Sequence, residues 1–247
     1  MTGRQLRTRL FAFMLWTLYS GHSIGDNAPL HIAIDIGHSL ANPGAISATG
    51  RAEFHYNRDA AETLADLLNR HPNLRASILN PAGDDIALSE RTARAKAVNA
   101  DLFISLHHDS VQPHYLQTWQ YQGRTLHYCD RFAGYSLFVG QSSGPSAKLA
   151  TRIGRELRQR GFTPTLHHAE PIKGENRTLL DATLGIYQFG ELAVLRTATM
   201  PAVLIEMGVI VNREEALRAN SPRNQQQFAE AVRDAILGGL SPGTDPD

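Results

Sequence analysis

The stretch His31-Ile-Ala-Ile-Asp-Ile36, running straight into Gly37-His38-Ser39, decides the fold. A short β-rich run that ends in a glycine and ionisable residues reads as a strand delivering polar groups to a sheet edge. The same device recurs twice. Leu102-Phe-Ile-Ser-Leu106 leads into His107-His108-Asp109, and Ala202-Val-Leu-Ile205 leads into Glu206-Met207-Gly208. Helical patterns separate these runs. Ala60, Ala61, Leu64, Leu67 and Leu68 fall at helical spacing within Ala52–Arg70, which Pro72 closes. Strands alternating with helices predict one α/β domain, a twisted, mostly parallel sheet flanked by helices.

Working outward, Arg75–Leu79 reads as a strand and Ser89 as the N-cap of a helix reaching Val98. Residues 110–134, aromatic and polar with Pro113, Gly123 and Gly134, read as a long excursion over one rim. Gly134–Val139 resumes a strand, and Ser146–Arg160 reads as a helix ended by Gly161. Thr163–Thr183 reads as irregular, Gln188–Thr197 as helical, and Asn224–Leu237 as the closing helix. No internal repeat or interdomain linker interrupts residues 29–240.

The 247 residues carry 24 basic and 24 acidic side chains, so the formal charge is zero. That balance argues against nucleic acid as a partner and against a polybasic membrane surface. A single cysteine, Cys129, leaves any metal site to His, Asp and Glu, and eleven histidines are available. At the amino terminus, Arg4, Arg7 and Arg9 precede the apolar run Leu10–Leu18, followed by small and polar residues. This is the pattern of a secretory signal over residues 1–28, too short for a stable membrane anchor. Export to the periplasm or cell envelope is the expectation, and residues 241–247 read as a flexible tail.

In open α/β sheets, ligands bind outside the carboxyl ends of the strands, so His38, His107 and Glu206 should gather on one rim. A glutamate beside Val203, Leu204 and Ile205 is costly unless paired or bound to a cation. An arginine such as Arg196 or Arg213 would serve as that partner. Two histidines and a carboxylate would instead suit a borderline cation such as zinc. Spacing alone does not separate a ligating carboxylate from a catalytic one.

Four blocks resemble the zinc-dependent N-acetylmuramoyl-L-alanine amidases, the amidase-3 family of peptidoglycan hydrolases. Ile34-Asp-Ile-Gly-His-Ser39 with Pro43-Gly44-Ala45 is similar to the family's opening. Ala52-Glu53, with Asn57 and Ala60, resembles its second block. Leu88-Ser-Glu-Arg91 through Ala100-Asp-Leu-Phe-Ile-Ser-Leu-His107 resembles the third. Leu195-Arg196 through Met200-Pro-Ala-Val-Leu-Ile-Glu-Met-Gly208, with Asn212 and Glu215, resembles the fourth. The resemblance implies one zinc ion held by His38, Glu53 and His107, and a catalytic carboxylate at Glu206. It implies hydrolysis of the amide joining N-acetylmuramic acid to the L-alanine of the peptidoglycan stem peptide.

Ile36, Ser39, His108 and Asp109 depart from the family pattern. Because adjacent strand residues face opposite ways, His108 is expected to pack or hydrogen-bond rather than join His107 on the same ion. His167 and His168 lie outside the blocks, as candidates for substrate contact or for structural roles. The aromatics of the Gln112–Phe132 excursion, including Tyr115, Trp119, Tyr121 and Tyr128, read either as a substrate wall or as a satellite core. Two alternatives stand beside the amidase reading. One is another zinc peptidase or deacylase on a related fold; the other is a non-catalytic peptidoglycan-binding regulator.

Overall fold

The structure, a computed structural model, describes residues 28–240. The segment expected to be an export signal (apart from its last residue) and the one expected to be a flexible tail fall outside the described residues. The chain opens with β1 (Leu30–Ile36), α1 (Glu53–Asn69), β2 (Leu74–Ile78), α2 (Leu88–Ala97) and β3 (Leu102–Asp109). A hairpin of β4 (Gln117–Tyr121) and β5 (Arg124–Tyr128) follows, then β6 (Ser136–Val139) and α3 (Pro145–Gln159). The last third contains β7 (Thr178–Asp181), β8 (Ile186–Gln188), α4 (Ala193–Thr197), β9 (Ala202–Val209), α5 (Arg213–Ala219) and α6 (Pro222–Gly238).

Seven strands form one sheet in the order β2-β1-β3-β9-β6-β8-β7. The first four are mutually parallel, as expected. The far side is mixed, because β6 runs antiparallel to β9 and β7 antiparallel to β8. The strand alternation sorts the central residues onto two faces. Ile34, Ile104 and Val203 align across one face, as do Ile36, Leu106 and Ile205, and they pack in the main core with α1, α3 and α6. Ala33, Phe103 and Leu204 point the other way, into a smaller core that includes Val194 and Leu195 of α4. Asp35, Ser105, His107 and Glu206 follow them in register on that second face. The strands that carry the chemistry are therefore sealed on both sides, and their polar residues emerge together at one rim.

Several local expectations are corrected. Ala87, not Ser89, is the N-cap of α2, and no side chain caps it. Gln188–Thr197 is the end of β8 followed by a helix of only five residues, and the stretch expected to be irregular contains β7. These segments pair at the sheet edge, a long-range contact with no local signature. The aromatic excursion builds a satellite core. Val111, Tyr115, Leu116 and Phe132 pack on buried Cys129, Val209 and Val211, and Trp119 Nε1 donates to the Ala48 carbonyl. Among the described residues, no helix is long and apolar enough to cross a membrane.

Candidate metal centre

His38 occupies the first turn after β1 with φ of 69°, a left-handed conformation uncommon for a residue with a side chain. Its carbonyl is held by Arg91 of α2, whose Nη2 donates across 2.7 Å. Arg91 Nη1 also donates to the Ile36 carbonyl and, at 2.8 Å, to Asp35 Oδ1, while Ser105 Oγ donates to Asp35 Oδ2 at 2.7 Å. Arg91 and Asp35 are almost completely buried. A buried ion pair thus clamps the loop that presents His38.

Glu53, the first residue of α1, reaches the same place from the other side of the sheet. Its Oε2 lies 3.0 Å from His38 Nε2, and its Oε1 lies 3.2 Å from His107 Nδ1. Three donors lock the carboxylate. The Ala45 amide donates to Oε2, and the His108 amide and Asn57 Nδ2 donate to Oε1. Burial works to raise the Glu53 pKa, but the two histidines hold it well below the usual carboxylate range.

Glycines make the approach possible. A Cβ on Gly44, itself at φ of 78°, would stand 2.4 Å from Glu53 Oε2 and 2.7 Å from the His38 ring. A Cβ on Gly37 would overlap the His107 ring at 2.4 Å. One nitrogen from each of His38 and His107 and one oxygen of Glu53 all lie within 4.8 Å of one another. Ligands at about 2.0–2.2 Å from a tetrahedral zinc are separated by roughly 3.5 Å, so this nitrogen-rich, singly anionic set fits a zinc-class cation.

Glu206 is not a member of that trio. It sits on β9 directly across from His107, and Ser136 of β6 flanks it on the other side. Its Oε2 is buried without a hydrogen-bond partner among the described residues. Neither arginine considered as its partner reaches that atom, and Arg213 is instead paired with Asp130. Burial, then the charges of Asp109 and Glu53, push the Glu206 carboxyl well above its ordinary pKa.

His108 faces α1, as strand alternation requires. Its Nδ1 meets Asn57 Oδ1 at 2.8 Å, so a chain runs from His108 through Asn57 to Glu53. Burial pushes the His108 pKa down to about 4, which keeps the ring neutral. Sequence reasoning passed over a second constellation. Asp109, His167 and His168 also converge within 4.8 Å, with Glu175 against His168. The adjacent histidines were visible in the chain, but 58 or more positions separate them from Asp109, and only the fold brings them together.

The fold and the rim site together define an α/β protein whose clustered histidines and carboxylate could hold a metal ion. The chain belongs to the N-acetylmuramoyl-L-alanine amidase family, whose sequence model matches residues 32–238. It is 24% identical to the probable N-acetylmuramoyl-L-alanine amidase AmiB of Haemophilus influenzae, over 94% of this chain and 56% of that protein. It is 28% identical to the amidase LytC of Bacillus subtilis, over 83% of this chain and 34% of that protein. The chain thus spans about half the length of AmiB and a third of LytC. Among solved structures it is similar to the N-acetylmuramoyl-L-alanine amidase AmiC2 of Nostoc punctiforme. That match has a TM-score of 0.63 and 26% identity, and covers 85% of this chain and 97% of the other.

Proposed function

We propose that this protein hydrolyses the amide between the lactyl group of N-acetylmuramic acid and the L-alanine of the peptidoglycan stem peptide. The observation that carries the proposal is the convergence of His38, Glu53 and His107 beside Glu206, whose buried Oε2 has no hydrogen-bond partner among the described residues. The three ligands would hold one zinc ion, which when bound supplies Lewis acidity toward the scissile carbonyl and acidifies water near neutral pH. Glu206 takes a proton from the attacking water and returns it to the leaving amine of L-alanine, acting as general base and then acid. Burial raises its pKa, which favours the return of the proton to the leaving amine. Arg91 keeps the His38 loop in its left-handed turn, and Asn57 orients the Glu53 carboxylate. An exported protein acting in the periplasm or cell envelope fits this substrate.

The test is digestion of purified peptidoglycan by the purified protein, with and without a chelator, and identification of the fragments by mass. Release of stem peptides beginning at a free L-alanine amine, abolished by the chelator and restored by zinc, is expected. Release of a single terminal amino acid or of acetate would instead identify another peptidase or a deacylase. Absence of any new fragment from zinc-replete protein would leave a binding module.

A further inference from the structure

We infer that Asp109, His167 and His168 form a second divalent-cation site, distinct from the His38–Glu53–His107 centre. Both histidines aim Nε2 at one atom, Asp109 Oδ2, from 3.3 Å for His167 and 2.7 Å for His168. The opposite ring nitrogen of each is already occupied. His168 Nδ1 lies 2.9 Å from Glu175 Oε2, and His167 Nδ1 lies 2.8 Å from Thr165 Oγ1. That is how ligating histidines are held, with the far nitrogen fixed by a carboxylate or hydroxyl so that the near one faces the ion. Glu175 is itself fixed by Gln112 Nε2 at 2.7 Å.

The independent sign of a missing ligand is His167. Its side chain is only 2% exposed, and its Nε2 makes no hydrogen bond although it points into the cluster. Its nearest acceptor is Asp109 Oδ2 at 3.3 Å, out of hydrogen-bond geometry, and a cation between the two would engage both atoms. Asp109 has its other oxygen, Oδ1, engaged by the Ser110 amide, so Oδ2, which now meets the His168 Nε2 proton, is the oxygen that faces the ion. Phe132 lies against His167, and Phe138 and Tyr187 lie edge-on to His168, an apolar shell that keeps water away. Charge argues the same way. Asp109 and Glu175 bring two carboxylates, and Glu206 stands close enough to feel both Asp109 and His168. A doubly charged cation balances this anionic pocket better than one imidazolium. Two imidazole nitrogens and one carboxylate oxygen are donors suited to zinc. Binding balances by releasing the Nε2 proton of His168 to solvent.

The experiment is metal analysis of full-length protein equilibrated with Zn2+ and passed through gel filtration. It compares the parent with His38→Ala/His107→Ala and with His167→Ala/His168→Ala, each checked for folding by circular dichroism. About two equivalents are expected in the parent and about one in each double variant. If His167→Ala/His168→Ala does not fold, His38→Ala/His107→Ala decides alone. Loaded with Co2+, it should retain one equivalent and the visible absorption of a low-symmetry cobalt site. One equivalent in the parent and none in His38→Ala/His107→Ala would overturn the proposal, leaving the cluster as a proton-held ion pair. One equivalent in the parent that survives in His38→Ala/His107→Ala but is lost from His167→Ala/His168→Ala would uphold this site and refute the proposed first centre.

Discussion

Glu206 lies directly opposite His107 in the parallel ladder between β3 and β9, so both side chains leave the sheet on the same face at the same height. Parallel pairing makes that relationship rigid, since a one-residue slip would turn every side chain to the other face. With His107 as a metal ligand, Glu206 is placed beside the centre without joining it. Glu206→Gln keeps size and shape but cannot accept a proton. It should retain zinc at the parent level while losing roughly 10²–10⁴-fold in kcat, the range typical of general acid–base groups. Parallel metal analysis and single-turnover cleavage of peptidoglycan would check this. Parent-like turnover would remove Glu206 from the chemistry.

A side chain on Gly44 would press on both Glu53 and His38, since its Cβ would stand 2.4 Å from Glu53 Oε2 and 2.7 Å from the His38 ring. Gly44→Ala should push the carboxylate and the ring apart and also strain a residue at positive φ. A weakening of zinc affinity on the order of 10–100-fold is expected, the scale of disturbed outer-shell support. Competition with a chromogenic chelator measures it, and unchanged affinity would mean that the loop simply gives way.

Arg91 and Asp35 form an almost fully buried pair. Arg91→Ala leaves the Asp35 carboxylate unpaired, a loss of about 3–5 kcal/mol. For a domain of this size that lowers Tm by roughly 10 °C. Arg91→Lys should recover only part of it, because a single ammonium cannot reach Asp35 and the carbonyls of Ile36 and His38 together. Thermal unfolding of metal-free protein separates this structural loss from any loss of metal.

His108 sets an acid limit on stability. Its folded pKa is depressed to about 4 by burial, against about 6.5 when unfolded. Between those values the unfolded chain binds the extra proton, so stability falls as pH drops through that window. The contribution amounts to roughly 2 kcal/mol lost by pH 5. A cation on His107 would only strengthen the effect by further disfavouring the imidazolium. His108→Gln should therefore show a smaller decline in Tm between pH 7 and pH 5 than the parent. Identical declines would show that His108 is not kept neutral.

How much of this was legible in the chain depends on range. The strands β1, β3 and β9 and the helices α1 and α6 announce themselves through local periodicity and β-branched content, and their boundaries move by only a few residues. The carboxyl-end rule gathers His38, His107 and Glu206 on one rim from the sequence alone. Glu53 was different, since a glutamate opening a helix is ordinary, and only the resemblance to the amidases singled it out. The short strands β7 and β8 escaped because they gain their order from long-range pairing, β8 with β6 and β7 with β8, not from their own pattern.

Sequence by itself determined the alternation of strand and helix, the residue types available for chemistry, and the strand ends that would carry them. These follow from local spacing and from the chirality of parallel crossovers, which leave few arrangements open. Tertiary structure alone decided that Arg91 clamps the His38 turn and that no arginine among the described residues bonds Glu206 Oε2. It also decided that Asp109 meets two histidines from a segment some 60 residues away. Those facts depend on which side chains close packing brings within hydrogen-bond distance, and no local pattern along a chain encodes that proximity.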